Sequence, residues 1–391
     1  MGTHLPTVTS FIGSFLKPEM WHVYNQVTGL RRFRSVVLTR ERLNPDLFPF
    51  EDVRVLRGGY RTTWWKHCWL KYVKREPKVV YRGMIPGILN QLRDTNADLL
   101  HVYFGHEATR LALVLSHWDR PAVVSFHGAD LGIYVRRPND VAWLPMVFKH
   151  ARLLLVRCEY FVDQLVELGC PREKIRLNRT HIRLGFFHEI QRPPPPNGAW
   201  RLLQACRLLP KKGILTSIRA FEKFQRAFPA ATLTIAGDGP QLSELQREAA
   251  LLGLGKKVSF PGFLDREQLR DLYEKSHFFL HPSSSDQNND IEGIPNALLE
   301  AMATGLVCVS TAHAGIPEAV RDGIDGFLVS SGESGQIARI LRDVAADAGR
   351  YLSLSANAAA RIRDEFSYEK QIEVLESIYE EALGSQRLSH I

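Results

Sequence analysis

Thr232-Leu-Thr-Ile-Ala-Gly-Asp-Gly-Pro-Gln241 decides the fold class: a short β-branched run stops at a Gly-Asp-Gly-Pro turn, and a helical pattern from Gln241 to Leu252 follows at once. The alternation extends in both directions. Upstream lie a strand at Arg201 to Ala205 and a helix at Ile214 to Phe228. Downstream lie a strand at Lys257 to Phe260, a helix at Arg266 to Lys275 and a strand at His277 to His281. A helix inside Asp290 to Gly305 and strands at Leu306 to Ser310 and Gly326 to Val329 complete the series, and the tail from Ser331 reads as helical. Such alternation makes a parallel sheet covered on both faces, with ligands collecting at the carboxyl ends of its strands.

The first half has the same rhythm. Thr7 to Ile12, Ser35 to Thr39, Asp98 to Phe104, Pro121 to Phe126, Arg152 to Arg157 and Lys174 to Asn178 read as strands. His106 to Trp118, Asn139 to His150 and Tyr160 to Leu168 read as helices. Gln191-Arg-Pro-Pro-Pro-Pro-Asn-Gly198 suits neither a helix nor a central strand and marks a boundary. The expectation is an α/β protein of two doubly wound domains facing a central cleft. Residues 1–190 form the first, 191–199 a linker and 200–391 the second, with the last helix free to pack back on the first domain. A chain of 391 residues suits two such domains.

With 45% hydrophobic and 24% charged residues, the composition is that of a globular protein and excludes disordered and fibrous classes. No apolar run approaches the roughly 18 residues of a membrane span, and Met1 to Pro6 lacks a charged signal region, so a cytoplasmic location is expected. The 5 cysteines are scattered without a Cys-x-x-Cys pair and read as reduced thiols. Net charge is +8, and Arg54 to Arg82 carries all of it, nine basic residues against Glu76 alone. There Trp65, Cys68, Trp69, Tyr72 and Val73 share a helical face from which Lys66, Lys71 and Lys74 are excluded. Two readings stand side by side: a basic amphipathic helix on an anionic membrane surface, or an aromatic stripe facing the core under a solvated basic face. No recognition module supports nucleic acid as a partner.

The stretch Asp290 to Gly305 reads as a site. Pro295 suits the first turn of a helix and Gly305 its end, so the amides at Ile294 to Ala297 offer an anion the positive end of a helix dipole. Glu292 precedes that place and Glu300 follows in the second turn, a layout that fits a sugar–diphosphate–nucleoside. Taken alone, the stretch is equally an Ala/Leu-rich buried helix with two solvated glutamates. At neighbouring strand ends stand Arg207, Lys211-Lys212-Gly213 and Ser283-Ser284-Ser285. Arg207 and Lys212 beside a helix start are what a diphosphate leaving group requires, although the same residues alone would read as a surface basic cluster. His127, in Ser125-Phe-His-Gly-Ala-Asp130, follows an apolar strand and precedes a glycine turn; His101 and His106 flank another strand end. The sequence holds no Asp-x-Asp pair and no His/Cys/Asp cluster of ligand spacing, so no metal is expected, and no cofactor is expected beside the donor substrate. A nucleobase would meet backbone groups near Gly262 and Phe263.

The run His281-Pro-Ser, Glu292-Gly-Ile-Pro, Leu299-Glu-Ala-Met-Ala-Thr-Gly305, Ala314-Gly-Ile-Pro-Glu-Ala-Val320 and Gly326-Phe-Leu-Val329 resembles the donor-domain signature of retaining GT-B glycosyltransferases of family 4. Within that family it is similar to bacterial exopolysaccharide enzymes of the colanic-acid and amylovoran type. The resemblance implies that Arg207 and Lys212 hold the donor diphosphate together with the backbone at Gly293, Ile294, Pro295 and Asn296. It further implies that Glu292 addresses the sugar, Glu300 the ribose hydroxyls and His127 the transferred sugar. The implied activity is metal-independent transfer, with retention, of a hexosyl group from a nucleotide-diphosphate sugar to a glycan or lipid-linked acceptor at the inner membrane surface. A sugar-nucleotide epimerase or hydrolase, and an inactive subunit of a polymer-synthesis complex, are the alternatives. Three positions depart from the family pattern. Gly13-Ser14 replaces a glycine pair on the acceptor side, Cys206 a glycine before the arginine, and Arg183 a common aspartate.

Overall fold

The structure, a computed structural model, describes residues 5–18, 20–57, 69, 73, 84–128, 131, 138–284 and 293–384. The chain divides into two compact units, Met1–Arg179 with Gln371–Ile391, and Thr180–Lys370.

The first unit is built on a 7-stranded parallel sheet. Its strands are β1 (Thr7–Phe15), β2 (Arg34–Arg42), β3 (Val53–Val55), β4 (Leu99–Tyr103), β5 (Ala122–Ser125), β6 (Leu153–Val156) and β7 (Ile175–Leu177), in the order β3-β2-β1-β4-β5-β6-β7. Every residue of β4, β5 and β6 is buried, which is why these segments read as unbroken apolar runs instead of alternating ones. The second unit has a 6-stranded sheet of β8 (Arg201–Ala205), β9 (Thr232–Ala236), β10 (Val258–Gly262), β11 (Phe278–His281), β12 (Val307–Thr311) and β13 (Phe327–Val329), ordered β10-β9-β8-β11-β12-β13. Strand order reverses once in each sheet, between β1 and β4 and between β8 and β11, and the chain ends diverging there leave room for a ligand.

Several elements differ from the sequence expectation. Helix Trp21–Gly29 was not legible: it has no capping side chain and no acid in its first turn, and Val23, Thr28 and His22 are poor helix formers. Strand β3 and helix Ile85–Arg93 are likewise additions. The expected helix His106 to Trp118 is two pieces, Gly105–Arg110 and Ala112–Leu115, broken where Leu111 adopts φ −91°, ψ 7°.

The Pro-rich stretch is not where the units divide. Arg192 is 6% exposed and donates to the carbonyls of Thr304 (2.6 Å), Tyr273 (2.9 Å) and Glu274 (2.9 Å), which binds the stretch into the second unit. The tail is three helices, Ser334–Ala345, Ala348–Glu365 and Tyr368–Ala382. The last belongs, from Gln371 onward, to the first unit. There Leu375, Ile378 and Tyr379 join Val8, Phe33, Leu99 and Val123 in one apolar cluster. Each such side chain contributes roughly 1.5–3 kcal/mol on burial. The carboxylate of Glu376 accepts the N–H groups of Arg31 and Arg32, both at 2.6 Å, and pairs with Arg32 Nε at 3.0 Å.

Trp69 and Val73, four residues apart in the basic segment, are 48% and 67% exposed, so these two do not form a core-facing stripe. The rest of Gly58 to Gly83 lies outside the described residues. No helix among the described residues is long and apolar enough to cross a membrane.

Candidate functional site

In the second unit the strand ends on either side of the order reversal are tied together. Beyond β8 the chain turns through a short 3-10 segment, Pro210–Lys212, and Gly213 at φ +65° leads into helix Ile214–Gln225. A Cβ on Gly213 would lie 1.9 Å from the carbonyl oxygen of Pro282, just beyond β11, so only glycine permits this approach. The amide of Ser284 donates to the Lys211 carbonyl at 2.8 Å, and the Gln204 side chain donates to that of Lys212 at 2.8 Å. Lys211 and Lys212 are each 6% exposed, whereas Arg207 is exposed. Next to them, burial drives the His281 imidazole far below its usual range, and the Lys212 ammonium adds to the effect. Cys206 keeps a negative φ, and burial raises its thiol to about 11 against the pull of Lys212, so it stays protonated.

Helix Asn296–Ala303 follows β11. Pro295, expected in the first turn, is its N-cap, at φ −64°, ψ 129°, one residue before the first helical position. Its carbonyl accepts the amides of Leu298 and Leu299, while those of Asn296 and Ala297, at the positive end of the dipole, receive no partner among the described residues. Asn296 is exposed, Gly293 half-buried, and Ile294 and Pro295 are buried. The helix stops in a Schellman turn: Leu306 N–H donates to Ala301 O and Gly305 N–H to Met302 O, with Gly305 at φ +81°. Glu292, like Ser285 to Ile291, lies outside the described residues.

Glu300, in the second turn, accepts the Tyr273 hydroxyl at 3.0 Å. Burial raises its carboxyl above the usual range, against the opposing influence of Tyr273 and Arg266. Arg266 begins helix Arg266–Lys275, its guanidinium 4.2 Å from the centre of the Phe186 ring. Gly262 closes β10 and accepts the Gly237 amide at 2.8 Å, and the ring of Phe263 beside it is 78% exposed. The Gly237-Asp-Gly-Pro240 turn, expected only to connect strand to helix, packs its backbone on the first strand's loop, with Leu208 N–H donating to Asp238 O at 2.8 Å. Arg183 lies 4.7 Å from the centre of the Tyr368 ring, inside the same unit.

In the first unit the ends of β1 and β4 also meet. A Cβ on Gly13 would lie 2.5 Å from Oε1 of Glu107 and 2.6 Å from Nη2 of Arg40, so its absence lets the ion pair sit against β1. Glu107 is 4% exposed; Arg40 and Arg110 reach the same oxygen at 2.5 and 2.8 Å. Burial works to raise this carboxyl, but His106, Arg40 and Arg110 together hold it below the usual range. Ser14 donates to Glu41 at 3.4 Å. His127, beyond β5, has Nε2 at 2.9 Å from Ser125 Oγ and Nδ1 at 2.6 Å from Arg157 Nη2. Burial, then Arg157 and the neighbouring histidines, drives its imidazole well below the usual range. His101 is wholly buried, stacked on Tyr103 at 4.0 Å and hydrogen-bonded to Tyr379 at 2.7 Å; it is a structural group.

Sequence reading missed Tyr273, Arg266, Arg157 and the Arg40–Glu107 pair. Tyr273 left one usable signal, a tyrosine on the buried face of a helix, whose hydroxyl needs a partner. Among the described residues no group of three or more His, Cys, Asp or Glu side chains is arranged to hold a metal ion.

Residues 187–361 match the glycosyl transferases group 1 family, and residues 21–180 match the glycosyl transferase 4-like domain. The amylovoran biosynthesis glycosyltransferase AmsK of Erwinia amylovora is 31% identical over 72% of this chain and 70% of its own length. The chain belongs to the group 1 glycosyltransferases. The putative colanic acid biosynthesis glycosyltransferase WcaL of Escherichia coli is 29% identical over 74% of this glycosyltransferase and 71% of its own length. Anabaena HepE, solved with UDP and glucose, superposes with a TM-score of 0.72 at 18% identity, covering 98% of this chain and 100% of that one. The sucrose-phosphate synthase of Thermosynechococcus elongatus gives 0.70 at 16% identity over 97% and 100%. These likenesses establish the GT-B fold, two parallel-sheet units, for this glycosyltransferase.

Proposed function

We propose that this glycosyltransferase moves a hexosyl group, with retention and without a metal, from a nucleotide-diphosphate sugar to a glycan or lipid-linked acceptor in exopolysaccharide synthesis. The observation that carries the reading is the strand-end junction of the second unit, where Gly213 lets the Lys211–Lys212 turn close on the loop after β11. In this assignment Arg207, Lys212 and the amides of Asn296 and Ala297 meet the charge that builds on the departing diphosphate. Glu300 accepts the ribose hydroxyls, Glu292 addresses the sugar, and Gly262 and Phe263 border the base. His127 touches the transferred sugar, and Gly13 and Ser14 border the acceptor. The names of the curated relatives support exopolysaccharide synthesis, and the UDP complex of HepE supports a nucleotide donor.

The basic segment between Arg54 and Arg82 is proposed to meet an anionic membrane surface at the inner face of the plasma membrane, a reading supported by its charge and by exposed Trp69 and Val73. The test is a panel of nucleotide sugars with candidate acceptors, read as nucleotide release with and without chelator. Release that requires an acceptor, persists in chelator and fails in Lys212→Ala and Glu300→Gln is expected. Acceptor-independent turnover would replace transfer by hydrolysis or epimerisation, and loss of turnover in chelator would overturn metal independence.

A further inference from the structure

The parallel register of β5 and β6 pairs Ser125 with Leu155, and two residues further along each chain His127 and Arg157 come side by side. The guanidinium has only donors to offer and stays charged at every accessible pH. With Arg157 Nη2 at 2.6 Å, the Nδ1 atom of His127 must therefore present its lone pair. A neutral ring so constrained carries its proton on Nε2, from which it donates to Ser125 Oγ at 2.9 Å.

We propose that Arg157 is a positioning residue of this site, fixing His127 as the neutral Nε2–H tautomer, whose donor is held by Ser125 Oγ in this structure and passes to a sugar hydroxyl when the donor sugar binds, so that the ring acts as a hydrogen-bond donor and not as a base. This rests on the reading of His127 as the group that touches the transferred sugar. The other groups around the ring agree with a neutral imidazole. His22 from helix Trp21–Gly29 is 5.4 Å away between centroids, Tyr103 from β4 5.8 Å and Phe104 4.6 Å. His101 and His106 add further repulsion to a proton on the ring. Arg157 is the permanently charged member of the set and the one that singles out a nitrogen. A residue that only filled space here would leave the choice of tautomer to Ser125, whose hydroxyl both donates and accepts.

Long-range proton–nitrogen correlation spectra of the full chain labelled with 15N-histidine test this, with His127→Gln supplying the assignment. The wild type is expected to show His127 as the neutral Nε2–H form from about pH 5 to 8. Arg157→Ala is expected to raise its titration toward the ordinary histidine range and to populate the Nδ1–H form. Arg157→Gln keeps a donor without the charge. It is expected to keep the tautomer while the titration rises, and it carries the test if the alanine variant melts early. Transfer by Arg157→Ala is expected to fall about tenfold or more and to acquire an acid limb absent from the wild type. An Nδ1–H tautomer in the wild type, or an unchanged tautomer and titration in a folded Arg157→Ala, overturns the proposal. The spectra need no donor or acceptor, so a wild type without transferase activity would sink the functional reading while leaving the tautomer result standing.

Discussion

The hydroxyl of Tyr273 donates to Oε2 of Glu300 at 3.0 Å, joining helix Arg266–Lys275 to helix Asn296–Ala303. Burial raises the Glu300 carboxyl, and Tyr273 is the first of the groups that restrain it. A carboxylate that accepts ribose hydroxyls must be ionised, so nucleotide affinity should fall as pH drops through the Glu300 pKa. Tyr273→Phe removes the restraint and should move that fall to higher pH. Glu300→Gln should abolish it. Calorimetric titration with UDP and GDP across pH checks both, and an identical pH profile in Tyr273→Phe would show that the hydroxyl does not tune the carboxylate. Loss of one such hydrogen bond should cost about 1 kcal/mol of stability.

Gly213→Ala places a methyl group 1.9 Å from the Pro282 carbonyl oxygen at a residue with φ +65°. The two atoms it would meet below 3.0 Å, the carbonyl oxygen and carbon of Pro282, are both backbone, so backbone must move. The turn carrying Lys211 and Lys212 would part from the loop after β11, at a cost of roughly 1–3 kcal/mol. The expected outcome is a lower melting temperature together with weaker binding of the nucleoside diphosphate. Gly169→Ala, also at positive φ but with open space around it, is the control and should lower stability without affecting nucleotide binding.

The alternation of strands and helices was legible because parallel strands buried on both faces must be apolar throughout, as β4, β5 and β6 are. Lys212 and His127 stood out as candidates because glycine turns at strand ends advertise themselves, and Glu300 because a helix start precedes it. What sequence could not show depends on contacts between distant positions. Arg157 meets His127 through strand register, Tyr273 meets Glu300 through helix packing, and Arg40, on β2, meets Glu107 across Gly13 of β1. The division of the two units between Arg179 and Thr180 has no local mark in the sequence for a similar reason. Four prolines exclude helix and sheet locally, but Arg192, through carbonyls more than 80 positions away, fastens that stretch to the second unit.

Buried histidines give the protein an acid-sensitive stability. Burial lowers His101 to about 3 and His277 to about 4, and His281 also lies well below its ordinary value of 6.5. The unfolded chain takes up these protons near the ordinary value while the folded chain refuses them. Stability therefore falls as pH drops below that value and stops falling once each folded pKa is passed. Each histidine contributes up to about 1.4 kcal/mol per pH unit in that window. Thermal melts should show a steep loss between about pH 6.5 and 4.5 that is shallower in His101→Gln. A melting temperature constant over that range would contradict neutral burial of these rings.

Glu376 is one of the groups through which the last helix holds the first unit. It is 4% exposed and accepts two backbone amides and the Arg32 guanidinium, whose second nitrogen pairs with Glu380 at 2.8 Å. Glu376→Ala leaves the Arg31 and Arg32 amides without their acceptor, while the Arg32 guanidinium keeps Glu380, and should cost about 1–3 kcal/mol. Glu376→Gln keeps an acceptor for the amides and should cost less. Deleting Gln371 to Ile391 goes further, because it strips Leu375, Ile378 and Tyr379 from the cluster with Val8, Phe33 and Leu99. The truncated chain is expected to aggregate or to melt well below the intact protein, with proteolysis beginning in the first unit and sparing the β8 to β13 sheet. A truncation that keeps the wild-type melting temperature would show that the last helix is not part of the first unit's core.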